Sequence, residues 1–232
     1  MLNEVNGKWA PAQLVTGLPG RAVVSSVSCA VPGDCAAGGT YDGQPFVVDE
    51  VNGRWGPAEP VAGIPALNKG HRADVTFISC TAPGECTAAG SYSPMGYQNY
   101  SSYDVPFVVS QVHGNWGPGR PVPGLAALDA GDNATVFGLS CTSPGNCAAG
   151  GLDTPARGRS PAFLISQIRG TWGTAQQVPG LTKLGAAGAK VYGISCAAAD
   201  WCTAVGAIDI VRPRATGAAF VVSQPGPARL PP

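Results

Sequence analysis

Eight cysteines, a tyrosine-rich loop, a handful of loop arginines and two histidines carry what chemistry this chain has to offer. The cysteines form four pairs, Cys29/Cys35, Cys80/Cys86, Cys141/Cys147 and Cys196/Cys202, each spaced C-x5-C. Such pairs could ligate zinc, exchange disulfides or close as structural disulfides. Zinc sites commonly use shorter C-x2–4-C spacing and gather four ligands, whereas each pair here lies in a different repeat and only two histidines are present. The C-x-x-C spacing of thioredoxin-like redox centres is absent. Five intervening residues, with Pro32-Gly33, Pro83-Gly84 and Pro144-Gly145 in the first three turns, let the chain reverse and bring the two Cβ atoms together. Four disulfides are therefore expected, and with them an oxidising compartment, secreted or cell-surface.

The remaining polar chemistry favours binding over catalysis. The longest loop, Ser91 to Pro106, holds Tyr92, Tyr97, Tyr100 and Tyr103. Tyrosine presents a flat apolar ring with a polar tip, suited to sugar stacking or to a protein hot spot. His71 and Arg72 precede that loop, and the corresponding loops of the third and fourth repeats carry Arg157, Arg159, Arg212 and Arg214. These ten residues are the ligand-binding candidates. A carboxylate pair for glycosidase work would have to come from Asp74, Asp104, Asp129, Asp132, Asp153 or Asp209, but loop aspartates are more often turn formers. His113 falls where the other repeats have turn residues. No catalytic residue is assigned, and no cofactor or metal is expected: nucleotide-binding and HExxH motifs are missing, and Asp129-Ala130-Gly131-Asp132-Asn133 lacks the EF-hand ligand spacing.

The elements that position these residues recur four times. The first cysteines are 51, 61 and 55 residues apart. Each follows an aliphatic residue and Ser (Val27-Ser28, Ile78-Ser79, Leu139-Ser140, Ile194-Ser195) and ends strand a. Each second cysteine opens a small-residue run, strand b. Strand c starts at Phe46, Phe107, Phe163 or Phe220. A turn and Trp55, Trp116 or Trp172 lead into strand d, and an equivalent Asn6-Gly7-Lys8-Trp9 opens the chain. Short strands with Gly/Pro/Asn punctuation and no helical period indicate all-β structure. The repeat predicts a four-bladed β-propeller of four-stranded antiparallel blades, with repeats near 21–63, 73–124, 134–180 and 189–224 and the last blade completed by the N-terminal strand of 1–20. A β-sandwich or a pair of small barrels is the competing fold, and half of an eight-bladed ring the competing assembly.

Charge sets further bounds. Fourteen Lys+Arg balance fourteen Asp+Glu, and only 12% of residues are charged. Zero net charge argues against nucleic acid as a partner, and no apolar run is long enough for membrane insertion. Met1-Leu2-Asn3-Glu4-Val5-Asn6 has no signal-peptide core, and the chain opens within a repeat, so it reads as an excised domain or a reading frame begun too late; the expected state is a monomer or part of a larger secreted polypeptide. The a–b turn is five residues long in every repeat, whereas the second cysteine and the Trp are 20, 30 and 25 residues apart in the first three. One rim is built to template and the other diversified, the usual layout of a binding surface.

The pattern [VIL]-S-C-x5-C-x-A-x-G, followed by the Phe-led strand and G-x-W-G, resembles the secreted, disulfide-stapled β-propeller repeats of actinobacteria, described as sialidase-like or BNR-like. The resemblance spans all four repeats and implies a fold and a compartment. The turn before each Trp resembles a sialidase Asp-box that lacks its Asp, as in Ser110-Gln111-Val112-His113-Gly114-Asn115-Trp116. The expected function is recognition of an extracellular glycan or protein. A sialidase-like hydrolase or lyase and a structural subunit are the alternatives.

Overall fold

A computed structural model describes residues 4–95, 104–128, 133–154, 160–210 and 216–224. A two-stranded hairpin, β1 (Glu4–Val5) and β2 (Lys8–Trp9), comes first. The first sheet follows the order β3 (Ala22–Val31), β4 (Asp34–Tyr41), β5 (Gln44–Val51), β6 (Arg54–Trp55), with β7 (Glu59–Pro60) also on β5. After the short helix α1 (Ile64–Leu67), the second sheet repeats this plan with β8 (Ala73–Ala82), β9 (Glu85–Tyr92), β10 (Val105–Val112), β11 (Asn115–Trp116) and β12 (Arg120–Pro121). Helix α2 (Leu125–Leu128) leads to the third: β13 (Ala134–Ser143), β14 (Asn146–Asp153), β15 (Ala162–Ile168), β16 (Thr171–Trp172) and β17 (Gln176–Gln177). A 3-10 turn, Leu181–Leu184, precedes a three-stranded fourth sheet, β18 (Ala186–Ala198), β19 (Trp201–Ile210) and β20 (Thr216–Ser223). All strand pairs within the sheets are antiparallel.

The four sheets share their irregularities. Strand a bulges once in its middle, between Val24 and Ser26, Val75 and Phe77, Val136 and Gly138, Val191 and Gly193. Opposite each bulge strand b carries a glycine, Gly39, Gly90, Gly151 or Gly206. A Cβ there would overlap the carbonyl oxygen of Val23, Asp74, Thr135 or Lys190. This close approach explains the Gly in each small-residue run. The c–d turns use positive φ at Asn52-Gly53, His113-Gly114 and Arg169-Gly170, and Asn6-Gly7 has the same geometry.

Packing follows the repeat as well. Phe46, Phe107 and Phe163 are fully buried, and Phe220 nearly so. A Val and an aliphatic residue three positions on cap each Phe from the preceding segment: Val61 and Ile64 beside Phe107, Val122 and Leu125 beside Phe163, Val178 and Leu181 beside Phe220. For Phe46 the caps are Val15 and Leu18. The first long strands of the sheets neighbour one another in order, β3 on β8, β8 on β13 and β13 on β18. A hydroxyl ladder joins them: the N–H groups of Cys80, Cys141 and Cys196 donate to Ser28, Ser79 and Ser140 Oγ at 3.0, 3.1 and 3.1 Å.

The expected ring closure is corrected at the N-terminus. The N-terminal strands do not complete the last sheet: β1 and β2 pair only with each other, and the fourth sheet holds three strands among the described residues. Residues 15–18 lie on the first sheet instead, where Ala58 N–H donates to Thr16 O at 2.8 Å. No comparable packing joins the fourth sheet back to the first among the described residues. The face of β3 is correspondingly open: Val24 and Val27 are exposed, while their counterparts Val75 and Ile78 are buried against the first sheet.

Candidate functional site

All four cysteine pairs are disulfides, Cys29–Cys35, Cys80–Cys86, Cys141–Cys147 and Cys196–Cys202. In each, the two cysteines are directly opposed across strands a and b. With no free thiol left, these residues staple the sheets and belong to an oxidising compartment. No helix among the described residues is long and apolar enough to cross a membrane.

The two rims of the sheets differ in construction. On the cysteine side, the c–d turn is tied to the a–b turn of its own sheet: Gly53, Gly114 and Gly170 N–H donate to Gly33, Gly84 and Gly145 O at 2.8, 2.9 and 2.9 Å. His113 and Arg169 N–H are held in the same way by Glu85 Oε1 and Asn146 Oδ1. His113 therefore works as a turn residue. This rim is closed upon itself three times over.

The opposite rim carries the b–c and d–a ends of the sheets, and at the second sheet it holds a polar cluster. Asn68, at the end of α1 and 1% exposed, organises it. Its Nδ2 donates to Gly43 O at 2.7 Å and to Gln44 Oε1 at 3.3 Å. Its Oδ1 accepts from Arg72 N–H at 3.0 Å and from Ser93 N–H at 3.3 Å. One buried amide thus joins the first b–c turn, the connection into β8 and the end of β9. On this support His71 sits exposed with φ of 50°. Arg72 Nη2 reaches both oxygens of Asp104 at 3.0 and 3.1 Å. Asp74 accepts from Ser91 Oγ at 3.3 Å. Burial pushes its carboxyl above the usual range and Asp104 adds to the rise, while the bonds from Ser91 and Thr76 oppose it.

Tyr92 is not a surface ring. It is buried in the second sheet's core beside Val75 and Phe107, and burial pushes its phenol above its ordinary value. Its place in strand b, at alternate-residue register with Ala88 and Gly90, turns it inward. Tyr97, Tyr100, Tyr103, Arg157, Arg159, Arg212 and Arg214, together with Asp129 and Asp132, lie outside the described residues. Of the binding candidates, the structure brings together His71 and Arg72 on the Asn68 support, while Tyr92 belongs to the core of the second sheet.

Sequence reasoning passed over one carboxylate environment. Asp49, between the first and second sheets, accepts from Gln111 Nε2 at 2.7 Å and from Trp116 Nε1 at 3.0 Å. Burial pushes its carboxyl up to about 6, and Glu59 adds to the rise. Its signal was the first repeat's Asp49-Glu50 where the next two read Ser-Gln. Asp153 is fully buried at the strand-b position that Tyr92 fills in the second sheet. No group of three or more metal-ligating side chains occurs among the described residues. Comparison with known protein families finds no match, and no curated protein matches the chain.

Proposed function

We propose that this chain is a non-enzymatic, secreted or cell-surface recognition module whose four sheets are successive blades of a propeller-type ring. It binds an extracellular glycan or protein on the rim opposite the disulfides. The resemblance to actinobacterial sialidase-like repeat proteins belongs to this proposal. The carrying observation is the contrast between the rims. One is stitched by the same Gly-to-Gly hydrogen bond in three sheets. The other holds an exposed arginine, an exposed histidine and two carboxylates on a buried-amide support. A rigid scaffold with diversified loops on one face is how binding surfaces are commonly built. Half of an eight-bladed ring fits the exposed valines of β3 better than a closed four-bladed one.

The test is a glycan and extracellular-protein array probed with the oxidised chain, followed by Arg72→Ala and by Tyr97→Ala/Tyr100→Ala. Specific binding that weakens about tenfold or more in these variants supports the reading. Unchanged binding in all of them removes this rim as the site. Asp74 with Asp104 nearby, the Asp74 carboxyl raised chiefly by burial, favours glycoside hydrolysis as the second reading, because such enzymes use two carboxyl groups in different environments. Turnover of fluorogenic glycosides abolished by Asp74→Asn would establish it.

A further inference from the structure

We propose that a second copy of this chain docks head to tail on the fourth sheet and inserts Trp9 into the gap between the third and fourth sheets. The gap is a cavity of about 600 Å³. Its walls match, position for position, the surface against which Trp116 lies at the junction of the first and second sheets. There the indole borders Val47, Asp49, Val51, Arg54, Gly56 and Glu59. Around the cavity the same repeat positions are Leu164, Ser166, Ile168, Thr171, Gly173 and Gln176. The cavity is therefore the socket of a fourth repeat's Trp, and the described fourth sheet supplies none.

Trp9 is a free knob of the right shape. It is 67% exposed. It pairs with Glu4 as Trp55 pairs with Glu50, Trp116 with Gln111 and Trp172 with Gln167. Its turn, Asn6-Gly7, has the same positive φ values as the other three. The segment after it also stands in register with a strand d. Pro60, Pro121 and Gln177 pair with Phe46, Phe107 and Phe163, and the equivalent partners are Leu14, 92% exposed, and Phe220. Docking replaces Glu4 by Gln224 as the residue opposite Trp9, since both hold the same repeat position.

The donor must be another chain. Val15 and Leu18 hold the N-terminal segment on its own first sheet, and among the described residues no comparable packing joins that sheet to the fourth. The surfaces that a head-to-tail contact would cover are open at both ends. On the fourth sheet Val205 and Val221 are 45% and 69% exposed, whereas their equivalents Ala89 and Val108 are buried against the third sheet. On the first sheet Val24 and Val27 are open. The hydroxyl ladder has matching loose ends as well: Ser195 is exposed and accepts no backbone N–H among the described residues, and Cys29 N–H meets no serine. A junction of two copies supplies Ser195 Oγ to Cys29 N–H. Two identical junctions close a ring of eight sheets, the closed form of a head-to-tail interface.

Light scattering on the oxidised chain tests this. The expected mass is about twice 23.3 kDa. Trp9→Ala removes the knob and Val221→Lys charges the docking face. Both residues are exposed, so each variant should keep the wild-type circular dichroism and its four disulfides. Each alone is expected to raise the dimer Kd about tenfold or more. Mixed, they should form a heterodimer through the one junction that joins an intact Trp9 to an intact fourth sheet. A wild-type chain that stays at monomer mass at high concentration overturns the proposal, as does a dimer as tight in both variants as in the wild type.

Discussion

Trp116 donates its indole Nε1–H to Asp49 across the boundary between the second and first sheets, 3.0 Å from Oδ2 and 3.2 Å from Oδ1. Gln111 Nε2 donates to the same carboxylate at 2.7 Å. The bonds favour the charged form, but burial outweighs them and the carboxyl sits near 6. Two sheets are thus joined by an acid that ionises close to neutrality.

This joint predicts a pH dependence. The folded-state value lies above the ordinary 3.8, so between about 4 and 6 the native state binds more protons than the unfolded chain. Stability contributed by this group therefore falls as pH rises through that window and levels off above about 6. Denaturant melts of wild type and Asp49→Ser, run from pH 4 to 8, check it. The serine variant, which carries the residue of the second and third repeats, should show a flatter profile. An unchanged profile would remove Asp49 as the titrating group.

The disulfides close short loops, so each should contribute modestly. Replacing Cys141 and Cys147 together by Ser is expected to cost about 2 kcal/mol. Chemical denaturation measures it, and reducing agent should destabilise the wild type several times more than this variant has already lost.

Gly90 and Gly53 should respond differently to alanine. A Cβ at Gly90 runs into the backbone carbonyl of Asp74 at the bulge, with no flexible group to yield. Gly90→Ala should cost about 3 kcal/mol or more. At Gly53 nothing lies within 4 Å of the added Cβ, and only the φ of 76° is unfavourable. A cost of about 1–2 kcal/mol is expected there. Equal losses in urea melts would refute the bulge argument.

Asn68→Ala leaves the carbonyl of Gly43 and the N–H groups of Arg72 and Ser93 without their side-chain partner. A loss of about 2–4 kcal/mol is expected. Hydrogen exchange should quicken at Arg72 and Ser93 while the third and fourth sheets keep their protection. Uniform loosening of all four sheets would mean that Asn68 serves the whole fold and not this rim.

Much of the architecture could be read from residue order because it is local. Two cysteines six positions apart with a turn between them can meet only across one hairpin. Asn52-Gly53 and its equivalents mark turns by their tolerance of positive φ. Phe46, Phe107, Phe163 and Phe220 mark the strand that every sheet buries. The candidate site was less legible. Tyr92 was read with its loop, yet it ends β9 and faces the core, because strand alternation and not loop composition decides its direction. Asn68 gave no signal, since a buried staple and a solvated turn amide look alike in one dimension.

Sequence alone was enough for the all-β class, the four-fold repeat, the pairing of the cysteines and the contrast between a constant and a variable rim. These depend on contacts within one repeat, where covalent spacing limits the options. The tertiary structure decided how the repeats meet: the serine ladder between the first long strands of successive sheets, the Asp49–Trp116 joint, the placement of Val15 and Leu18 on the first sheet, and the open faces of Val27 and Val221. Those contacts join residues dozens of positions apart, where chain connectivity leaves many arrangements possible and side-chain packing selects among them.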